Sequence, residues 1–237
     1  MDKKGINKTG VKNLFNNISG RYDLTNIFIS LGIVKYWRKK FSDKISGKEK
    51  AVLDACCGTG ISTSLIQKKL SYDAKIFGID FAPEMLEIAK NKFRALHTDL
   101  TFTNGDVTEL EFPNDYFDLI TIVFGIRNII NREKALKEFL RVAKPGAQFV
   151  CMEFNYPKNL TMRKIYDFYM DFIIVNLGGL ITGEKNAYRY LVKSIREFPD
   201  SDEFSRLIES CGWSGVKAEN LTFSTCTIYS AYKTITS

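Results

Sequence analysis

The stretch Val52-Leu53-Asp54-Ala55-Cys56-Cys57-Gly58-Thr59-Gly60, followed by Phe77-Gly78-Ile79-Asp80, decides the fold of this chain. The first segment predicts a buried strand that opens into a glycine turn. Gly58 and Gly60 lack Cβ, so the backbone can turn sharply and approach a ligand. The second segment predicts another strand, and it ends on an acid 22 residues after Gly58. That spacing suits one β-α-β unit. Its first turn would hold a nucleotide-like ligand, and its acid would grip a ribose diol.

A dinucleotide fingerprint starting at Gly58 would need a third glycine at position 63, where Thr63 stands. A wide pyrophosphate seat is therefore disfavoured. What remains resembles the Asp-x-x-x-Gly-x-Gly motif of S-adenosylmethionine (SAM)-dependent methyltransferases. Another nucleotide, or a ligand-free turn, stays open on the motif alone.

The flanking sequence extends the alternation. Strands are expected at 51–56, 75–80, 100–104, 117–124 and 148–154. Helices are expected at 61–70, 83–95, where Pro83 suits a first turn, and 132–142, closed by Lys144-Pro145-Gly146. Such alternation implies a parallel sheet with helices on both faces. Helices at 161–181, 188–198 and 201–210 follow, and strands at 215–223 and 225–234 could close the sheet as a hairpin. Residues 10–48 have helical apolar spacing, with breaks at Gly20 and Gly32. The expectation is a single methyltransferase-like α/β domain over 1–237. It comprises a helical cap at 1–48, a β/α core at 49–156, an inserted helical substrate region at 157–212 and a hairpin at 213–237. Seven strands, mostly parallel with a terminal antiparallel pair, make the Rossmann-like class I arrangement.

The 237 residues suffice for one such domain, and 45% hydrophobic with 26% charged residues excludes a disordered chain. Five scattered cysteines argue against a disulfide scaffold, and a single His97 completes no convincing zinc set, so no metal is expected. The polar start has no signal-peptide core, and the apolar run 172–181 is shorter than the about 20 residues of a spanning helix. A cytoplasmic protein is expected, with peripheral contact at the inner face of a membrane left open. The net charge of +7 is dispersed, its tightest cluster being Lys35, Arg38, Lys39 and Lys40 after Tyr36 and Trp37. No nucleic-acid motif accompanies it, so no nucleic-acid partner is expected. The cluster reads as a cationic face toward anionic lipid, or as a solvated helix face.

Beyond the glycine turn, several segments carry a more specific resemblance. They are Tyr22-Asp23-Leu24-Thr25-Asn26 through Ser30 to Trp37, Phe112-Pro113 with Phe117-Asp118, and Phe124-Gly125-Ile126-Arg127-Asn128. Arg141 to Gly146, Glu153-Phe154, and Tyr188-Arg189-Tyr190-Leu191 with Ser194-Ile195 complete the set. Over nearly the whole chain the sequence resembles the UbiE/COQ5 (MenG-type) C-methyltransferases of ubiquinone and menaquinone biosynthesis. It departs from them at Val34, where the family has histidine, and at Ile61, where it has aspartate. Val123 stands for a cofactor-contacting serine, Ala147 for glycine and Asn155 for serine. These departures leave the quinone and the methylated position open.

The resemblance implies SAM as cofactor and C-methylation of a prenylated quinol, demethylmenaquinol or a related ubiquinone precursor. Another phenolic substrate, or a non-catalytic SAM-binding role in a quinone-biosynthetic complex, remains as an alternative. The expected cofactor residues are Asp54, Gly58, Thr59, Gly60, Asp80, Phe81, Asp106 and Val107. Asp80 would accept both ribose hydroxyls. Asp54 would face the methionine ammonium directly or through water, since an acid on an apolar strand is costly unless paired. Asp106 would bond the adenine amino group, with the Val107 amide near the ring. Ligands sit at the carboxyl ends of parallel strands, so Arg127 and Asn128 would face the reacting ring. There Arg127, always charged, would stabilise a phenolate. Tyr22 is a third catalytic candidate. Asp23, Tyr188, Arg189 and Tyr190 would line the substrate side. A homodimer is a further expectation.

Overall fold

The computed structural model describes residues 30, 32–94 and 99–235. Tyr22, Asp23, His97 and most of the expected helical cap lie outside the described residues. Helix α1 (Ile33–Ser42) is the part of that cap within them. It begins directly after Gly32, whose left-handed backbone (φ 79°) marks the expected break.

The core alternates as the sequence requires. β1 (Ala51–Ala55), α2 (Ile61–Gln67), β2 (Lys75–Asp80), α3 (Pro83–Phe93) and β3 (Leu100–Asn104) build its first half. β4 (Phe117–Val123), α4 (Arg132–Val142) and β5 (Ala143–Phe154) build its second. The strands form one seven-stranded sheet ordered β3-β2-β1-β4-β5-β7-β6, closed by β6 (Trp213–Leu221) and β7 (Cys226–Lys233). β1 to β5 pair in parallel, whereas β7 runs antiparallel to both β5 and β6. The sheet is the class I methyltransferase arrangement.

Both faces of the central strands are covered, which explains why β1 and β4 read as nearly continuous apolar runs. Alternate residues feed opposite layers. Leu53, Ile120 and Phe149 point toward α4 and its neighbours. Val52, Leu119 and Val150 point toward α1 and α2. Helix α4 ends where β5 begins, and the register with β4 jumps from Phe117↔Ala143 to Leu119↔Gln148. Lys144-Pro145-Gly146 therefore forms a bulge inside β5 rather than a separate helix stop. Gly146 supplies its positive φ of 80°.

The inserted helix keeps its expected bounds to within one residue at each end, with a π-helical segment in its middle. α5 (Leu160–Phe168), a π-helical segment (Tyr169–Ile174) and α6 (Val175–Thr182) form one 23-residue rod whose C-terminal part is its most apolar. By length and composition alone it could cross a bilayer, which corrects the expectation drawn from 172–181. One face, however, is packed: Met170, Ile174 and Val175 cluster with Tyr188, Val192 and Ile195 of α7 (Lys185–Arg196). The next helix, α8 (Ser201–Ser210), differs from its expected grouping with the insertion. Its Phe204 and Ile208 belong to the main core, beside Phe149 and Tyr229.

Candidate active site

The parallel sheet changes winding direction between β1 and β4, and a cavity of about 230 Å3 opens at the carboxyl ends of these strands. From β1 the turn Cys56-Cys57-Gly58-Thr59 lines it, from β2 Asp80 and Phe81, and from β3 Gly105, Asp106 and Val107. β4 contributes Val123, Phe124, Gly125 and Asn128. The strands end in strained backbone: Cys56 and Phe124 both hold positive φ, 54° and 55°. Such conformations persist where the surrounding packing imposes them. The two turns approach so closely that a Cβ on Gly125 would stand 2.5 Å from the Cys56 Cβ.

Asp80 is the best-organised acid of the cavity. One carboxylate oxygen accepts the Gly58 amide (2.9 Å) and the other accepts the Ala82 amide (2.9 Å). Burial pushes its pKa above the ordinary carboxylate value, against the pull of those amides. The Phe81 amide is also directed at this carboxylate, whose remaining acceptor capacity faces the cavity and can receive a hydroxyl. Asp106 takes the Thr108 amide on one oxygen at 3.0 Å.

Gly58, Thr59, Asp80, Phe81, Asp106, Val107 and Asn128, all singled out from the sequence, are brought together around this one cavity. Others are placed differently. Gly60 does not line it; a Cβ there would lie 2.8 Å from the Phe93 ring, so its φ of 77° serves packing of the turn on α3. Asp54 is set behind the wall, fully buried. Ser62 and Thr63 donate to its Oδ2 (2.9 and 2.6 Å), and Thr121 donates to Oδ1 (2.9 Å). Desolvation pushes its pKa up to about 6. Asp54 thus reaches the cavity only through Ser62, which does line it.

Arg127 also departs from expectation. Its side chain is 2% exposed and ion-paired at 2.8 Å with Glu153, itself 0% exposed. It donates to the Phe124 carbonyl (2.6 Å) and to Ser194 (3.3 Å), and its guanidinium lies 5.2 Å from the Phe154 ring centre. Glu153 in addition accepts the Arg127 and Phe154 backbone amides. Burial of Glu153 at the end of β5 draws the guanidinium inward, away from the ring site. What Arg127 holds is the turn that carries Phe124 and Asn128.

The α7 candidates separate. Tyr188 is buried against Gly178 and packs α7 on α6, while Arg189 is exposed and bonds Asn186. Only Tyr190 turns toward the site, where its hydroxyl donates to Asn128 Oδ1 (3.2 Å). That bond leaves the Asn128 amide hydrogens for the cavity.

Several lining residues escaped the sequence expectations. Ile129 and Ile130 follow Asn128, and Leu65 and Met85 sit on α2 and α3. Arg38 was grouped with a surface cluster, yet it lines the cavity. Its signal was present: Val34, Arg38 and Phe41 fall on one stripe of α1, and Val34 and Phe41 are buried. The departures Ile61 and Val123 are also cavity residues, making this wall more apolar than the family pattern. Burial, and then the charge of Asp80, push the thiols of Cys56 and Cys57 well above their usual range. Among the described residues no cluster of three acidic, His or Cys side chains is placed to hold a metal.

A seven-stranded class I sheet, with a glycine turn facing a ribose-type acid across its winding reversal, defines a SAM-dependent methyltransferase. The glycine cradle and the remaining acceptor capacity of Asp80 fit that cofactor, which supplies an electrophilic methyl group when bound. The model of the ubiE/COQ5 methyltransferase family matches residues 3–233, and the chain belongs to that family. It is 39% identical over 227 residues to the ubiquinone/menaquinone biosynthesis C-methyltransferase UbiE of Rickettsia massiliae, covering 94% of this chain and 92% of that protein. It is 34% identical to the demethylmenaquinone methyltransferase of Staphylococcus saprophyticus, covering 95% and 97%. Among solved structures, a SAM-dependent methyltransferase from Aquifex aeolicus shares the fold at a TM-score of 0.60 and 19% identity, over 84% of this chain and 89% of that one.

Proposed function

We propose that this protein methylates a ring carbon of a prenylated quinol, demethylmenaquinol foremost or the related ubiquinone precursor. The observation that carries the proposal is near full-length similarity to relatives named for those two reactions. The cavity supports it. A phenolic ring needs apolar walls and one or two polar anchors, and Phe124, Ile129 and Ile130 provide the former. Asn128, oriented by Tyr190, offers its amide hydrogens to a quinol oxygen.

A deprotonated quinol oxygen pushes electron density onto its ortho carbon. That carbon forms the new bond to the methyl, the carbon–sulfur bond breaks toward sulfur, and the ring proton leaves to water. The protein's part is alignment and stabilisation of the phenolate. The Arg127–Glu153 pair holds the turn behind Asn128 in place for it.

A prenylated quinol resides in lipid, and the helix Leu160–Thr182 offers a surface to meet it. Phe168, Phe172 and Leu180 on that helix are 61%, 60% and 83% exposed. We assign this apolar face to peripheral contact with the cytoplasmic side of the membrane, with the basic cluster Lys35, Lys39 and Lys40 adding a salt-sensitive attraction to anionic lipid. A homodimer through the same face is the competing arrangement. Quinone profiling of a strain lacking the gene tests the function. Accumulation of a demethyl quinone, reversed by this chain, supports it, and an unchanged quinone pool refutes it.

A further inference from the structure

We propose that Arg38 binds the carboxylate of the methionyl moiety of SAM. The proposal rests on the methyl donor alone and is independent of the acceptor argued above.

The charges that line the cavity are divided by position. Asp80 and Asp106 stand at the ends of β2 and β3, the side suited to adenosine. Among the described lining residues, Arg38 is the only cation. It enters from α1, which packs on α2, and so meets the wall beside Ile61, Ser62 and Leu65. Its Nε is buried rather than spread into solvent with Lys35 and Lys39. The side chain is held there because Val34, Trp37 and Phe41, on the same side of α1, are buried in the core.

The methionyl group of SAM is a zwitterion. Its ammonium has a counter-charge in Asp54, which reaches the cavity through the Ser62 hydroxyl. Its carboxylate faces a cavity whose other charges are negative. A carboxylate taken from water needs a charged donor to offset its desolvation. A guanidinium presents a planar fork that matches a carboxylate through two parallel hydrogen bonds. Arg38 and Asp54 therefore supply the two opposite signs that the zwitterion needs, Arg38 as a lining residue and Asp54 through the Ser62 hydroxyl.

The test compares two ligands that differ only in that carboxylate: SAM, and decarboxylated SAM with a propylamine chain. Calorimetric titration of the intact protein gives both affinities without any acceptor present. Arg38→Ala should weaken SAM about tenfold or more, yet leave decarboxylated SAM within about twofold of the unaltered protein. Arg38→Lys, keeping charge without the fork, should fall between. Should Arg38→Ala fold poorly, Arg38→Gln keeps most of the stem and carries the same expectation. Equal losses for both ligands would make Arg38 a wall of the cavity only and overturn the proposal. Unchanged SAM affinity in the variant would overturn it as well.

Discussion

Removing the Arg127 guanidinium should act first on stability. Glu153 is 0% exposed, and Arg127 is its partner at 2.8 Å. Arg127→Met keeps an apolar stem over Phe154 but strands a buried carboxylate. Breaking one partner of a buried pair costs about 3–5 kcal/mol. That is a large share of the roughly 5–15 kcal/mol that holds a domain folded. Glu153 retains the amides of Arg127 and Phe154, so the lower end of the range is expected. Urea unfolding followed by circular dichroism measures the loss as a fall in midpoint at constant slope. The double variant Arg127→Met with Glu153→Gln removes the stranded charge and should recover at least half of it. Under native conditions SAM affinity should hold in the single variant, because Arg127 does not line the cavity. A loss below about 1 kcal/mol, or no recovery in the double variant, would refute a buried pair that anchors the Asn128 turn.

Three further outcomes are expected. Asp80→Ala should weaken SAM about tenfold or more, about 1.4 kcal/mol by calorimetry, and undiminished binding would remove Asp80 from the ribose. Asp54 has its pKa pushed up to about 6, so the folded state binds the extra proton. Its contribution to stability is full below the usual carboxylate range and is lost as pH rises through about 6, by about 3 kcal/mol in all. Unfolding of Asp54→Asn against the unaltered protein from pH 4 to 8 should show the variant gaining steadily up to about pH 6.5, and a gap moving the other way would contradict it. Sedimentation with anionic vesicles should carry the protein down at low salt and release part of it at high salt. Protein left in the supernatant with quinol-loaded vesicles would exclude membrane contact, and self-association there would favour the dimer.

The centre of the sheet was legible because both faces of β1 and β4 are covered. β2, β3 and α4 begin and end where apolar runs meet Gly, Pro or charged residues, and the structure keeps those limits. The two strands β1 and β4 each stop one residue early, since Cys56 and Phe124 turn to positive φ for reasons that lie in the packing between them. The hairpin turn shows the same limit. Thr222, Phe223 and Ser224 all hold positive φ without a glycine, while Trp37 on a distant helix donates to Thr222. In the site, Asp80 and Asp106 were legible because their position follows from strand ends alone. Arg127 was not, since its direction depends on Glu153, 26 residues away on the neighbouring strand. Arg38 was hidden by its sequence neighbours, three lysines that face solvent or half-solvent.

Transfer of a methyl group from SAM to a quinol ring carbon can be followed directly. Purified protein, SAM carrying a deuterated methyl group, and a short-chain demethylmenaquinol kept reduced allow one mass-spectrometric measurement. The expected product is heavier by one trideuterated methyl in place of one ring hydrogen, with the label on carbon and S-adenosylhomocysteine formed in equal amount. Label on oxygen, or SAM bound without turnover of either naphthoquinol or benzoquinol, would contradict transfer to a quinol ring carbon.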